Sequence, residues 1–217
     1  MSASSKMVSL LDSAIFHVWD GGRKLKKLVK KISEKGKVEF EWKDDSYNGK
    51  GIYAHPDGSR CDCQFKEGRF HGKGTFTWPD GSNYTGDWEN DLPFGQGIMA
   101  LFDNSRYEGE WKEGNIEGKG TSSLPDGSKY TGQWKDGSKS GKGILNLPDG
   151  KKYEGAWEND MFHGKGILTF SDGSKYEGEW KEDKYHGKGI LTLPEGSRHE
   201  GEWIGDKFKF IFKKDAR

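Results

Sequence analysis

Histidines, a cysteine pair and a series of Asp-Gly dipeptides are the residues here whose types could do chemistry. His71, His163 and His186 recur at one position of a repeating pattern, while His55 and His199 occupy others. A metal needs ligands converging within about 2.1 Å of one ion. One histidine per β-hairpin sets neighbours about 10 Å apart, two strand spacings, and no third ligand accompanies them. Their expected role is packing beside glycine. Cys61 and Cys63 form an isolated C-x-C, a weak metal signal without a second pair. Two residues apart on a strand, they are too extended for an easy mutual disulfide. The Asp-Gly pairs lack the clustered carboxylates of calcium loops. No nucleophile elbow, phosphate-binding loop or dinucleotide fingerprint occurs, because each Gly-x-Gly here opens a strand rather than a helix. The expectation is a protein with no catalytic residue, no metal and no cofactor.

The elements that carry these residues follow from an internal period. From Val38 the sequence aligns with itself every 23 residues, at Val38, Cys61, Tyr84, Tyr107, Tyr130, Tyr153, Tyr176 and His199. Five units read Tyr-x-Gly-x-Trp, as in Tyr153, Gly155 and Trp157. Alternate residues of a strand project from one face, so these three share a face. Pairs such as Glu113-Gly114 and Asp136-Gly137 suit the positive φ of a hairpin turn. The second strand is expected to open at Gly-x-Gly, as at Gly164 and Gly166, and Pro-Asp-Gly makes the next turn. Large rings alternating with glycine suit a single-layer sheet, where Tyr and Trp lie across the glycines of adjacent strands.

Composition narrows the class. Nine tryptophans exclude a disordered chain, and two cysteines exclude a disulfide scaffold. Net charge is zero, yet residues 1–37 carry +6 and the remainder −6. A mildly acidic repeat body argues against nucleic acid as a partner. No run approaches the ~20 apolar residues of a membrane-spanning helix, and the cysteine usage reads as a reducing, cytoplasmic setting.

The two ends depart from the pattern. Val8, Leu11, Ile15 and Val18 recur at helical spacing within residues 6–20. Leu25, Leu28, Val29 and Ile32 form a second stripe beside a row of lysines, giving a short helical pair. A rival reading counts one period back from Trp42 to Trp19 and makes Ile15–Trp19 a degenerate strand. The basic segment Arg23–Lys37 suits either docking on the sheet or contact with an anionic membrane. At the other end Phe208, Phe210 and Phe212 alternate where an eighth unit would place its glycines. They read as a terminal cap, or as an edge that pairs with a second copy in a homo-oligomer.

The runs Tyr107-Glu-Gly-Glu-Trp111, Tyr176-Glu-Gly-Glu-Trp180 and His163-Gly-Lys-Gly166 resemble the MORN repeat. The resemblance covers residue 38 to about 205, with Val38, Phe40, Cys61, Cys63 and Phe65 breaking the consensus in the first two units. The expected fold is all-β, an extended single-layer antiparallel meander of β-hairpin repeats with a short N-terminal helical segment. Its parts are a basic segment at residues 1–37, the array at 38–205 and a capping strand and tail at 206–217. The resemblance implies a binding module of junction, cytoskeletal and ciliary scaffolds. The functional expectation is therefore a non-catalytic scaffold for a protein partner, cytoplasmic and associated with cytoskeleton or cilium. The alternative is a membrane tether that binds acidic phospholipids. The partner is expected along an aromatic and acidic trough made by Tyr107, Trp111, Tyr130, Trp134, Tyr153 and Trp157 with Glu108 and Glu154.

Overall fold

The structure, a computed structural model, describes residues 41–43, 46–54 and 57–209. The expected helical pair, the rival strand at Ile15–Trp19, the basic segment Arg23–Lys37, and Phe210 and Phe212 lie outside them. The described residues are all-β, without a helix, and each strand pairs antiparallel with its neighbours in chain order. Two compact units divide the chain, Met1–Gly118 and Lys119–Arg217. The first contains β1 (Glu41–Lys43), β2 (Ser46–Ala54), β3 (Arg60–Lys66), β4 (Arg69–Thr77), β5 (Asn83–Glu89), β6 (Leu92–Ala100) and β7 (Arg106–Lys112). The unit boundary falls inside β8 (Asn115–Ser123). The second contains β9 (Lys129–Lys135), β10 (Ser138–Asn146), β11 (Lys152–Glu158), β12 (Met161–Thr169), β13 (Lys175–Lys181), β14 (Lys184–Thr192), β15 (Arg198–Ile204) and β16 (Lys207–Lys209).

The turns follow residue type. Asn159 and Asp160 take φ of 50° and 67°, the mirror-image turn whose twist matches the flanking strands. That turn brings Met161 directly into pairing with Glu158, so the second strand begins three residues before the glycine pair. The expected start at Gly-x-Gly is thus corrected. Gly164, at φ 59°, sits instead at a β-bulge, where the register shifts between Gly155 and Ala156. The other turn is held by aspartate: the N–H groups of Ser82, Ser105, Ser128 and Ser174 donate to the carboxylate two residues earlier.

The bulge explains the ring positions. Tyr153 lies across Gly155 and Gly166, where an added methyl at either glycine would overlap its hydroxyl. Its Oη donates to the Ala156 carbonyl at 2.8 Å, and Trp157 Nε1 donates to the Gly143 carbonyl at 3.2 Å. The polar tips of the rings thereby satisfy backbone carbonyls beside the irregular ladder. A further ring closes the face: Phe162 stacks on Tyr153 at 3.7 Å, and Tyr185 stacks on Tyr176 at 3.8 Å. In the first unit Tyr84 meets Trp88 at 4.9 Å and Trp111 at 5.2 Å, both edge-on.

Cys61 and Cys63 are buried and joined as a disulfide with Cα atoms 5.5 Å apart. This corrects the expectation from spacing. A regular strand would separate them by about 6.6 Å, twice its rise; the bulge between Cys63 and Phe65 accompanies the shorter span, which is normal for a bridge.

Candidate functional site

The six rings expected to line a partner trough are buried: Tyr107 is 0 % exposed, and Trp134, the most exposed of the six, is 5 %. They pack within the ring face and carry little exposed surface. Burial raises the phenol pKa of each ladder tyrosine, and it pushes Tyr176 and Tyr185 up to about 12. Glu108 and Glu154 are exposed, and strand alternation points them away from the rings. The expected single trough is therefore two faces, one closed by aromatic packing and one open. Periodicity identifies residues that share a face, but it leaves unsaid which face becomes covered.

The open face is ordered in rows. In the second unit Ile144, Glu154, Ile167, Glu177 and Ile190 pair across successive strands. A parallel row carries Lys142, Ala156, Lys165, Glu179 and Lys188. Between them runs a row of glycines, Gly143, Gly155, Gly166 and Gly178, whose missing side chains would have faced the rings. The result is a trough of about 840 Å³ with a glycine-backbone floor, an Ile and Glu wall and a Lys-rich wall. Lys152 pairs with Glu154 at 2.8 Å and Lys175 with Glu177 at 3.1 Å, so both wall carboxylates already have cations beside them.

The trough floor contains a recurrent device. At the bulge of β10 the Lys142 N–H donates to Oε1 of Gln133 at 3.0 Å, and in the first unit the Lys73 N–H donates to Gln64 at 3.0 Å. The residue between the repeat's Gly and Trp supplies the acceptor. Gln64, Asp87, Glu110, Gln133, Glu179 and Glu202 occupy that position, whereas β11 has Ala156. Alanine has no acceptor to offer the Lys165 N–H, and its methyl widens the trough. Ala156, Ile144, Ile167, Lys142, Lys165 and Lys188 were not singled out from sequence. The signal was present in the one apolar member of an otherwise polar column.

His163 Nδ1 lies 3.2 Å from a Glu158 carboxylate oxygen. Among the described residues no group of three or more His, Cys, Asp or Glu side chains is placed to hold a metal. At the C-terminal end Phe208 packs on Trp203 at 4.9 Å and covers Gly201, an intramolecular contact.

Comparison with protein families finds the MORN repeat at residues 41–60, 64–83, 84–106, 107–129, 130–152, 153–175 and 176–198. Comparison with curated proteins gives no match. Among solved structures, the chain is similar to the SAS-4 (dCPAP) TCP domain of Drosophila melanogaster, solved in complex with a proline-rich motif of Ana2 (dSTIL). Identity is 15 %, covering 70 % of this chain and 88 % of that one, with a TM-score of 0.36. A mutant TCP10 domain of Danio rerio CPAP matches at 14 % identity over 76 % of this chain and 94 % of its own, with a TM-score of 0.30.

Proposed function

The chain belongs to the MORN repeat family, and from that premise we propose a non-catalytic scaffold that binds a protein partner on the open face of its sheet. The supporting observation is the trough over the second unit's glycine row, with Ile144 and Ile167 half-exposed between charged side chains. Apolar area with a polar surround is the pattern of a recognition surface. The buried rings fix the sheet, and glycine backbone forms a floor that side chains do not fill. Rigid floors of this kind bind with little ordering of their own. A cytoskeletal or axonemal assembly is the proposed setting, in keeping with the scaffolds of this family.

The test is affinity capture from the native cell with wild type and an Ile144→Lys, Ile167→Lys variant, compared by quantitative mass spectrometry. Both side chains are outside the ring face, so circular dichroism of the variant should match wild type. The reading predicts a set of proteins held by wild type and lost from the folded variant. Identical captures would overturn it. Sedimentation with anionic vesicles, unaffected by the variant and unaccompanied by any such protein, would support the membrane alternative instead.

A further inference from the structure

Resting on that reading, we infer that the trough recognises an acidic, apolar segment of its partner, and that a partner carboxylate occupies the place left by the missing acceptor at Ala156. The protein itself shows what this place accepts. One hairpin earlier, Gln133 reaches across the bulge and its Oε1 takes the N–H of Lys142 at 3.0 Å. Gln64 does the same for Lys73 in the first unit. In the hairpin that follows Ala156, a carboxylate oxygen of Glu179 lies against Gly187, at the corresponding bulge. Among the described residues of this column Ala156 has no side-chain acceptor to offer, so that place is open to a group from outside the chain.

Charge favours an anion there. Lys142 pairs directly with Ala156, and Lys165 stands on the other side at the bulge, so two lysines flank this place, while Glu179, across from Lys165, reaches instead toward the next bulge at Gly187. The nearest carboxylates on the opposite wall, Glu154 and Glu177, are already paired within their own strands. Hydrogen bonds to an ionised acceptor are about twice as strong as neutral ones. Ile144 and Ile167 stand about 10 Å apart, two strand spacings, and supply the apolar contacts beside that anchor. A protein segment fits this arrangement better than a bilayer. A membrane surface meets the crests of both walls of a trough, glutamate and lysine alike, and does not reach the glycine floor beside Ala156.

The experiment uses the full chain and a phage library of short random peptides, selected in parallel on wild type and on Ala156→Gln. That substitution installs the acceptor found at Gln133, so the variant should fold at least as well as wild type. Wild type should enrich peptides with Asp or Glu among apolar residues, and the selected peptide should shift the Lys165 amide resonance on titration. Replacing its acidic residue by the amide, or using Ala156→Gln, should weaken binding about tenfold or more, the loss of one charge-assisted hydrogen bond. Selection of basic or charge-free peptides, or equal binding by Ala156→Gln, would overturn the inference. So would binding of phosphatidylserine vesicles with no peptide enriched. If the inference fails while the isoleucine variant still loses its captured proteins, the scaffold reading stands; if both assays fail, neither does.

Discussion

The two units build one device and leave it in different states. In the first, the trough over Gly74 and Gly86 measures about 320 Å³ and is occupied by the protein's own side chains. Gln64 caps the Lys73 amide, Lys73 Nζ reaches Asp87 at 2.5 Å, and the hydroxyls of Thr75 and Thr85 meet at 2.9 Å. In the second, Ile144 and Ile167 stand at the position of Thr75 and Glu154 and Glu177 at that of Thr85, Ala156 replaces the capping residue, and the volume is about 840 Å³. From Tyr84 onward the ring faces of the two units carry the same edge-on Tyr and Trp pairs. A repeat array can therefore keep its stability on one face and vary its recognition on the other, because alternation separates the two jobs residue by residue.

The largest test concerns what the units share. Each ladder tyrosine is held neutral by burial, with a phenol pKa above the usual value of about 10. A raised folded-state pKa means that this stability is fully present below the unfolded value and is lost as pH rises through the folded one. The second unit should hold to pH near 10 and unfold on the way to about 12, the value for its Tyr176 and Tyr185, and the first, with Tyr84 and Tyr107 likewise raised, should also hold past pH 10. Tyrosinate absorbance and circular dichroism followed together should change in one transition. Free titration of the phenols in an intact sheet would break the shared-face account.

Next in size are the indoles. Trp111→Ala in the first unit and Trp157→Ala in the second remove side chains that are 2 % and 4 % exposed. Each should cost about 3–5 kcal/mol in chemical denaturation. A marked difference between them would show that the ring faces are not equivalent. Glycine comes third. A Cβ on Gly86 or Gly155 would lie 2.6 Å from backbone of the neighbouring strand. Gly86→Ala and Gly155→Ala should each destabilise by about 1–3 kcal/mol, the usual range for overpacking. The smallest effects sharpen the contrast between the open faces. Gln64→Ala should lose about 0.5–1.5 kcal/mol and Ala156→Gln should gain a comparable amount, one hydrogen bond each. Thermal melts of the pair should move in opposite directions, and a shift of the same sign in both would remove the capping argument.

Much of the architecture was legible because a strict period leaves little freedom. Tyr153, Gly155 and Trp157 had to share a face, and Asn159-Asp160 had to turn. The error lay in treating a one-layer sheet as half naked. The cover over Tyr153 and Tyr176 comes from Phe162 and Tyr185, but the same column holds Pro93, Ile116 and Lys139. Lys139 covers its neighbours as a cation, its Nζ 5.6 Å from the Tyr130 ring and 5.1 Å from that of Trp157. A column filled by aromatic, imino, aliphatic and basic residues has no motif, although Lys139, Phe162 and Tyr185 lie over rings of the ladder and Pro93 and Ile116 are buried. The cysteine bridge was misjudged for a different reason: the spacing rule assumed a regular strand, and the bulge next to Cys63 is not one.

The hairpin turns carry one more consequence. Asp160 in the β11–β12 turn accepts the Lys139 N–H and donates its own N–H to the Lys139 carbonyl; Asp183 does this for Phe162, and Asp206 for Tyr185. Every such clasp reaches backward, from a younger hairpin to the one made before it. During synthesis the hairpins that carry Phe70, Lys139, Phe162 and Tyr185 thus emerge with an edge whose amide is secured only when the successor arrives, so assembly there has an arrow that the near-identical repeats conceal. A chain cut after Thr192 would strand the Tyr185 amide, whereas deleting the whole period 153–175 would pass the clasp on Lys139 from Asp160 to Asp183. A break inside a clasped hairpin leaves an amide exposed, and removal of the whole period does not.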